Sequence, residues 1–198
     1  MDSIDYYNRH AADFYDRTVE LDLKEELERF ILLLPEGAAV LDLGCGSGRD
    51  SLYMKEEGLD VTAMDASEEL CELAQIHIGQ DVLLMRFEEI DFMEVFDGVW
   101  ANASLLHVPL EEMDEILDKI IKSMKTEGIL YMSFKYGDFS GIRDGRYFKD
   151  YNTRELKELL GRHPSLELIE IYKNEDVREE KKMDRWIHVL ARKLDLHE

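Results

Sequence analysis

The chain has 198 residues, 45% of them hydrophobic and 10% aromatic, a length that suits one domain and hides roughly 70% of the unfolded surface from water, so disorder is excluded as the default state. A net charge of -21, from 24 basic and 45 acidic side chains, repels phosphate backbones and argues against nucleic acid as a partner. No apolar run approaches the ~20 residues of a membrane helix, and Met1 to His10 lacks both the basic and the apolar region of a targeting segment. Cys45 and Cys71 are too few for a disulfide framework and lack metal-site spacing, so a soluble protein of the reducing cytoplasm, without a metal, is expected.

In chain order, Leu23, Leu27, Phe30, Ile31 and Leu34 share one helical stripe that Pro35-Glu36-Gly37 stops. The short apolar run Ala38 to Leu43 is expected as a buried parallel strand. A helix over Gly48 to Glu57 ends at Gly58, and a second strand is expected over Asp60 to Met64. Ser67 is placed to cap the next helix, with Glu68 and Glu69 favourable in its first turn. Apolar runs follow at Val82 to Met85 and Val95 to Ala101. Pro109 and Glu111 open a helix with Met113, Ile116, Leu117, Ile120, Ile121 and Met124 on one face.

A turn at Thr126-Glu127-Gly128 leads to a strand over Ile129 to Phe134, and Lys135 to Asp150 reads as an irregular polar stretch. Asn152 with Glu155 is a helix-start signal, and Leu166 to Tyr172 and Trp186 to Ala191 read as closing strands. The cluster Arg178 to Arg185 alternates in sign and reads as a solvated hairpin turn. Alternating strands and helices give an α/β fold, an open, mostly parallel sheet covered on both faces that binds ligands at the carboxyl ends of its strands.

The most informative stretch is Leu41-Asp42-Leu43-Gly44-Cys45-Gly46-Ser47-Gly48-Arg49-Asp50. Alternating glycines after a buried strand let the backbone turn sharply and approach a ligand, with a helix start behind them. A purely structural turn remains the alternative. Asp65, at the end of the second strand, stands where a nucleotide's ribose hydroxyls would need an acceptor. The spacing is G-x-G-x-G, whereas the dinucleotide fingerprint needs its third glycine where Arg49 stands. Asp42 and Asp50 would repel a pyrophosphate and welcome an ammonium or a sulfonium.

Val40-Leu41-Asp42-Leu43-Gly44-Cys45-Gly46-Ser47-Gly48 closely resembles the first motif of the class I S-adenosylmethionine-dependent methyltransferases. Phe96-Asp97-Gly98-Val99-Trp100, Leu105-Leu106-His107 and Lys125 to Leu130 resemble later segments of the same family. Tyr7 to Asp16 is similar to the segment that caps the cofactor in small-molecule members such as quinone-biosynthesis and tellurite-resistance-type enzymes. The resemblance implies a three-layer, Rossmann-like, seven-stranded sheet whose last strand, Trp186 to Ala191, enters antiparallel. It implies one domain over 1–198, with a helical cap (1–36), a cofactor-binding core (37–134) and a substrate-side part (135–198).

The resemblance also implies S-adenosylmethionine as cofactor, with S-adenosylhomocysteine as product and a small molecule as methyl acceptor. Cofactor contacts are expected from Asp42, Gly44, Cys45, Gly46, Gly48, Asp65, Ala66, Ala101 and Asn102. Arg86 stands where many members have an aspartate for adenine, so Phe87 and Glu88 are expected near the base. His107 is the candidate proton acceptor, or else a histidine hydrogen-bonded at a helix start. Tyr15 is the second catalytic candidate. Tyr7, Tyr15 and His10 either close over the methyl or simply pack. Lys135 to Arg162 is locally basic, so Arg143 and Arg146, with Tyr7, are candidates to hold a small anionic substrate, against surface salt bridging. Cys45 lies where a helix start could lower its pKa, yet it resembles a small filler. Two other functions stay open: a catalytically silent cofactor-binding module, and a nicotinamide-dependent oxidoreductase.

Overall fold

A computed structural model describes residues 3–178 and 183–195; Glu179 and Glu180, within the expected solvated turn, lie outside them. Helices α1 (Ser3–Thr18) and α2 (Lys24–Ile31) precede β1 (Ala39–Leu43), α3 (Arg49–Glu56), β2 (Asp60–Asp65), α4 (Glu68–Ile78) and β3 (Val82–Leu84). Then come β4 (Phe96–Ala101), α5 (Leu110–Ser123), β5 (Met124–Lys135), β6 (Ser140–Arg143), β7 (Arg146–Lys149), α6 (Thr153–Gly161), β8 (Leu166–Glu175) and β9 (Arg185–Lys193). Seven strands form one sheet in the order β3-β2-β1-β4-β5-β9-β8. The five strands from β3 to β5 run parallel, and β9 enters antiparallel to β5. This is the Rossmann-like sheet with an antiparallel last strand that the sequence implied.

Local chemistry accounts for most element ends. The Ser67 hydroxyl accepts from the Leu70 N–H and caps α4, while Asn152 and Glu155 form a reciprocal capping box on α6. Met113, Ile116, Leu117, Ile120 and Ile121 of α5 are all buried against the sheet. Each such side chain contributes roughly 1.5–3 kcal/mol by leaving water. Gly48 takes φ +78°, and a side chain there would stand 2.8 Å from Ile78 and 3.2 Å from Ala74. Close packing of α3 on α4 therefore requires glycine.

Two elements differ from the sequence reading. Thr126 to Gly128 does not precede the strand; it lies inside β5 as an irregularity, with Glu127 at φ +66°. Pairing jumps there from Phe96 with Met124 to Gly98 with Ile129. The stretch read as irregular, Lys135 to Asp150, carries the hairpin β6–β7, closed by Asp144 and Gly145 at positive φ. Its strands are only four residues each, too short for alternation to stand out. Among the described residues, no helix is long and apolar enough to cross a membrane.

Candidate active site

The strands β1, β2 and β4 end on one edge of the sheet, where the chain between β1 and α3 passes through Gly44 and Gly46 at φ +81° and +55°. A cleft with about 290 Å³ of free space opens there. Its walls include Gly44, Cys45, Gly46, Asp65, Ala66, Phe87, Asn102 and His107, and its roof is Tyr7 of α1 with Arg143 and Arg146 of the β6–β7 hairpin. The fold thus brings together most residues singled out from sequence.

The floor is polar and ordered. Asp65 accepts the Gly46 and Ser67 N–H groups at 2.9 Å each, one on each carboxylate oxygen. Burial pushes its carboxyl above the usual range, and these backbone donors oppose that. Asp50 accepts from Arg49 (2.7 Å), Trp100 (2.9 Å) and Asn102 (3.0 Å), and Asn102 in turn accepts from the Ser133 hydroxyl at 2.7 Å. The amide of Asn102 is therefore held in one orientation. Burial raises and these donors lower the Asp50 carboxyl, and the net direction is down. Its neighbour Asp42 is pushed up to about 8, first by burial and then by the Asp50 charge.

The roof joins distant parts of the chain. The His107 Nδ1–H donates to the Tyr147 carbonyl at 2.7 Å, because a carbonyl can only accept. Its Nε2 is then the acceptor, and the Tyr7 hydroxyl donates to it at 2.8 Å. Arg146 donates to the same Tyr7 oxygen at 3.0 Å. Burial lowers His107 to about 4, the Tyr147 carbonyl opposes, and the Arg146 charge adds to the fall. Imidazole, not imidazolium, stands in the roof at neutral pH. Burial raises the Tyr7 hydroxyl, against the pull of Arg146.

Several expectations need correction. Tyr15 does not reach the cleft, because its hydroxyl pairs with His77 of α4 at 3.2 Å. His10 packs on Tyr6 with ring centroids 4.4 Å apart, where α1 is kinked. Asp42 lies beneath the loop, accepting the Ser51 hydroxyl at 2.6 Å. Gly48 serves helix packing, and Ala101 is fully buried in the main core, so the wall begins one residue later at Asn102. Glu88 is exposed and leans on Arg86 at 3.7 Å, which leaves Phe87 as the wall residue. Burial pushes the Cys45 thiol well up, the reverse of the activation considered for it. Arg143 is forked onto Asp150 at 2.9 and 3.4 Å.

The sequence reading missed Phe14, Ser104, Phe148 and Trp186, all of which line the cleft. Ser104 had a usable signal, since it lies between Asn102 and His107. The others come from separate elements and carry no local mark.

The residues present fit an adenosyl sulfonium. A side chain at Gly44 would stand 2.7 Å from the Ser104 Cβ, and one at Gly46 would meet the Phe14 ring at 3.1 Å, so only bare backbone leaves this space open. The Ser104 hydroxyl is buried in the wall without a hydrogen-bond partner. Asp65 still has acceptor capacity for hydroxyls, and Asp50 supplies negative charge to the floor. Gly44→Ala is therefore expected to lower the melting temperature by about 2–8 °C through its left-handed backbone alone, and to weaken cofactor binding at least tenfold. Paired melting and calorimetric measurements check both, and unchanged values would show the loop to be indifferent to a side chain.

A Rossmann-like sheet with such a loop and acidic floor defines a nucleoside-cofactor enzyme of the α/β class. A family profile described as a methyltransferase domain matches residues 41–132. An uncharacterized methyltransferase of Staphylococcus carnosus is 28% identical over 168 residues, covering 80% of each chain. The ubiquinone biosynthesis O-methyltransferase of Xanthomonas axonopodis is 33% identical over 108 residues, which are 51% of this chain and 44% of that one. The structure also superposes on 1,6-didemethyltoxoflavin-N1-methyltransferase of Burkholderia thailandensis, solved with 1,6-didemethyltoxoflavin and S-adenosylhomocysteine. That match has a TM-score of 0.79 at 25% identity and covers 97% of this chain and 87% of that one. The chain is a class I S-adenosylmethionine-dependent methyltransferase.

Proposed function

We propose that this enzyme methylates a small molecule at an O–H or N–H group, with Tyr7 and His107 receiving the proton. The observation that carries this reading is the roof: Tyr7 is hydrogen-bonded to both His107 and Arg146, across 100 and 139 residues. The Burkholderia thailandensis N1-methyltransferase, whose structure holds 1,6-didemethyltoxoflavin, supports a compact acceptor. In this reading residues 1–36 cap the site, 37–134 hold the cofactor and 135–198 shape the acceptor side of a single domain.

Gly44 and Gly46 would offer backbone to the cofactor, Asp65 would take the ribose hydroxyls, Phe87 would flank the base, and Asn102 with Asp50 would face the amino acid end. When bound, S-adenosylmethionine supplies an electrophilic methyl on a sulfonium that leaves as a neutral thioether. The protein's own part is to position the nucleophile, exclude water and hold the proton. The acceptor's X–H donates to the Tyr7 oxygen, and the Tyr7 proton passes along its existing hydrogen bond to His107 Nε2. His107 thereby becomes doubly protonated, with Nδ1–H still on the Tyr147 carbonyl. Because its basicity is low, the proton moves only as the new bond forms and X–H becomes acidic.

Incubation with methyl-labelled S-adenosylmethionine and a cell extract, followed by ultrafiltration, tests the acceptor class. A new labelled compound in the filtrate, separated chromatographically from the unreacted cofactor, supports it, and label retained on protein or RNA overturns it. The pH profile is a separate expectation. His107 is neutral above about 4, so it should leave kcat/KM flat where an ordinary histidine titrates, from about pH 6 to 7, and abolish activity as pH falls through about 4. A histidine-shaped inflection near 6.5 would mean that the imidazole is not buried as described.

A further inference from the structure

We infer that the methyl acceptor carries an oxyanion, a carboxylate or its equivalent, that docks on Arg146. This deepens the reading above and rests on it. The cations lining the cleft are Arg49, Lys135, Arg143, Arg146 and Arg178. Four of them already face a carboxylate: Arg49 with Asp50, Lys135 with Asp184, Arg143 with Asp150, and Arg178 with Asp176. Among the described residues, Arg146 has no ion pair. In a protein with net charge -21, a half-buried guanidinium without a carboxylate is conspicuous.

The surroundings of Arg146 suit a ligand better than solvent. Its guanidinium lies 4.3 Å from the Tyr6 ring, 5.0 Å from Phe148 and 5.4 Å from Tyr7. These rings fix its plane without neutralising its charge. One nitrogen donates to the Tyr7 hydroxyl at 3.0 Å, while Nε is buried with no acceptor at all. A buried donor without a partner is costly, and the edge shared by Nε and the second terminal nitrogen is the one that forks onto carboxylates. Arg146 also holds Tyr7, which in turn holds His107, so an anion on that edge sits one residue from the proposed proton acceptor. The anchoring group and the reacting group of one small acceptor can therefore be served together.

Arg143 is the cross-strand partner of Arg146 in the hairpin, yet Asp150 occupies its fork. Asp150 thereby reserves one of two neighbouring arginines for structure and leaves the other for ligand.

The test uses the full chain saturated with S-adenosylhomocysteine, titrated calorimetrically with benzoate and with its neutral counterpart benzamide. Benzoate is expected to bind at least tenfold more tightly than benzamide. Arg146→Gln should remove that preference, Arg146→Lys should recover only part of it, and Arg154→Gln, a charge loss on the outer face of α6, should leave it intact. Equal binding of the two probes, no benzoate binding, or a preference that survives Arg146→Gln would each overturn the inference. S-adenosylhomocysteine binding, measured first in every variant, separates the two levels. Its absence in the unmodified protein would sink the enzymatic reading, whereas its presence without a benzoate preference would sink only the anion site.

Discussion

Replacing His107 by Gln should reduce turnover by about 10²- to 10⁴-fold, the usual range for loss of a positioned proton acceptor, while KM for the methyl acceptor changes by only a few fold. The expectation follows from the tautomer. The Tyr147 carbonyl takes Nδ1–H at 2.7 Å, which leaves Nε2 as a lone pair facing Tyr7. A glutamine amide can still donate to that carbonyl, yet its remaining groups are far less basic than imidazole, so fold and binding survive and proton transfer does not. Steady-state formation of S-adenosylhomocysteine with the acceptor found in the filtrate checks this. Unaltered turnover would reduce the Tyr7 and His107 pair to packing. Tyr7→Phe gives an independent reading, since it removes the relay oxygen and leaves the imidazole in place.

Asp65→Ala should weaken cofactor binding by about 10- to 150-fold, because a charge-assisted hydrogen bond contributes roughly 1.5–3 kcal/mol and each 1.4 kcal/mol is a factor of ten. The structure adds a second reason. The same carboxylate holds the Gly46 and Ser67 N–H groups, so its removal frees two backbone donors and loosens the turn that approaches the ligand. Asp65→Asn separates the contributions. It keeps one acceptor for a backbone N–H but loses the charge and one acceptor site, and it should fall between the two proteins. Calorimetry with S-adenosylhomocysteine measures all three, and an unchanged dissociation constant in Asp65→Ala would remove Asp65 from the binding site.

Strands, helices and the glycine turn could be read from sequence because their causes are local. Ser67 and Asn152 cap helices through bonds to residues three positions away, and the α5 face repeats within a few turns. The cleft floor was legible for the same reason, since Gly44, Gly46 and Asp65 sit at strand ends that apolar runs already mark. Errors arose where the deciding contact was remote. Tyr15 and Tyr7 are alike in sequence and lie on one amphipathic segment. The kink at His10 and the positions of His77 and His107 send one hydroxyl to α4 and the other into the cleft.

Glu88 and Phe87 show the same limit at shorter range. Both sit in the short 3-10 turn Phe87–Glu89, and only the direction of that turn places the ring at the wall and the carboxylate in water. The hairpin β6–β7 was invisible because its strands are four residues each and half exposed, so hydrophobic alternation leaves no clear trace. For Cys45 the filler alternative holds, for an electrostatic reason. Burial and the neighbouring Asp65 and Asp42 outweigh whatever the helix start offers its thiolate.

By itself the sequence determined a Rossmann-like sheet, a glycine turn after its first strand, and the acidic residue beside it, because backbone freedom, strand period and helix caps act over a few residues. Tertiary structure alone decided which tyrosine meets His107, which proton that histidine carries, and that Arg146 rather than Arg143 is left without a carboxylate. The first two outcomes depend on groups 100 and 40 residues apart, whose meeting is set by the packing of α1 and the hairpin over the sheet edge, and the third on the fold-back that sets Asp150 against Arg143, seven residues before it. Hydrogen bonds and ion pairs act only across a few ångströms, and chain order does not encode that distance.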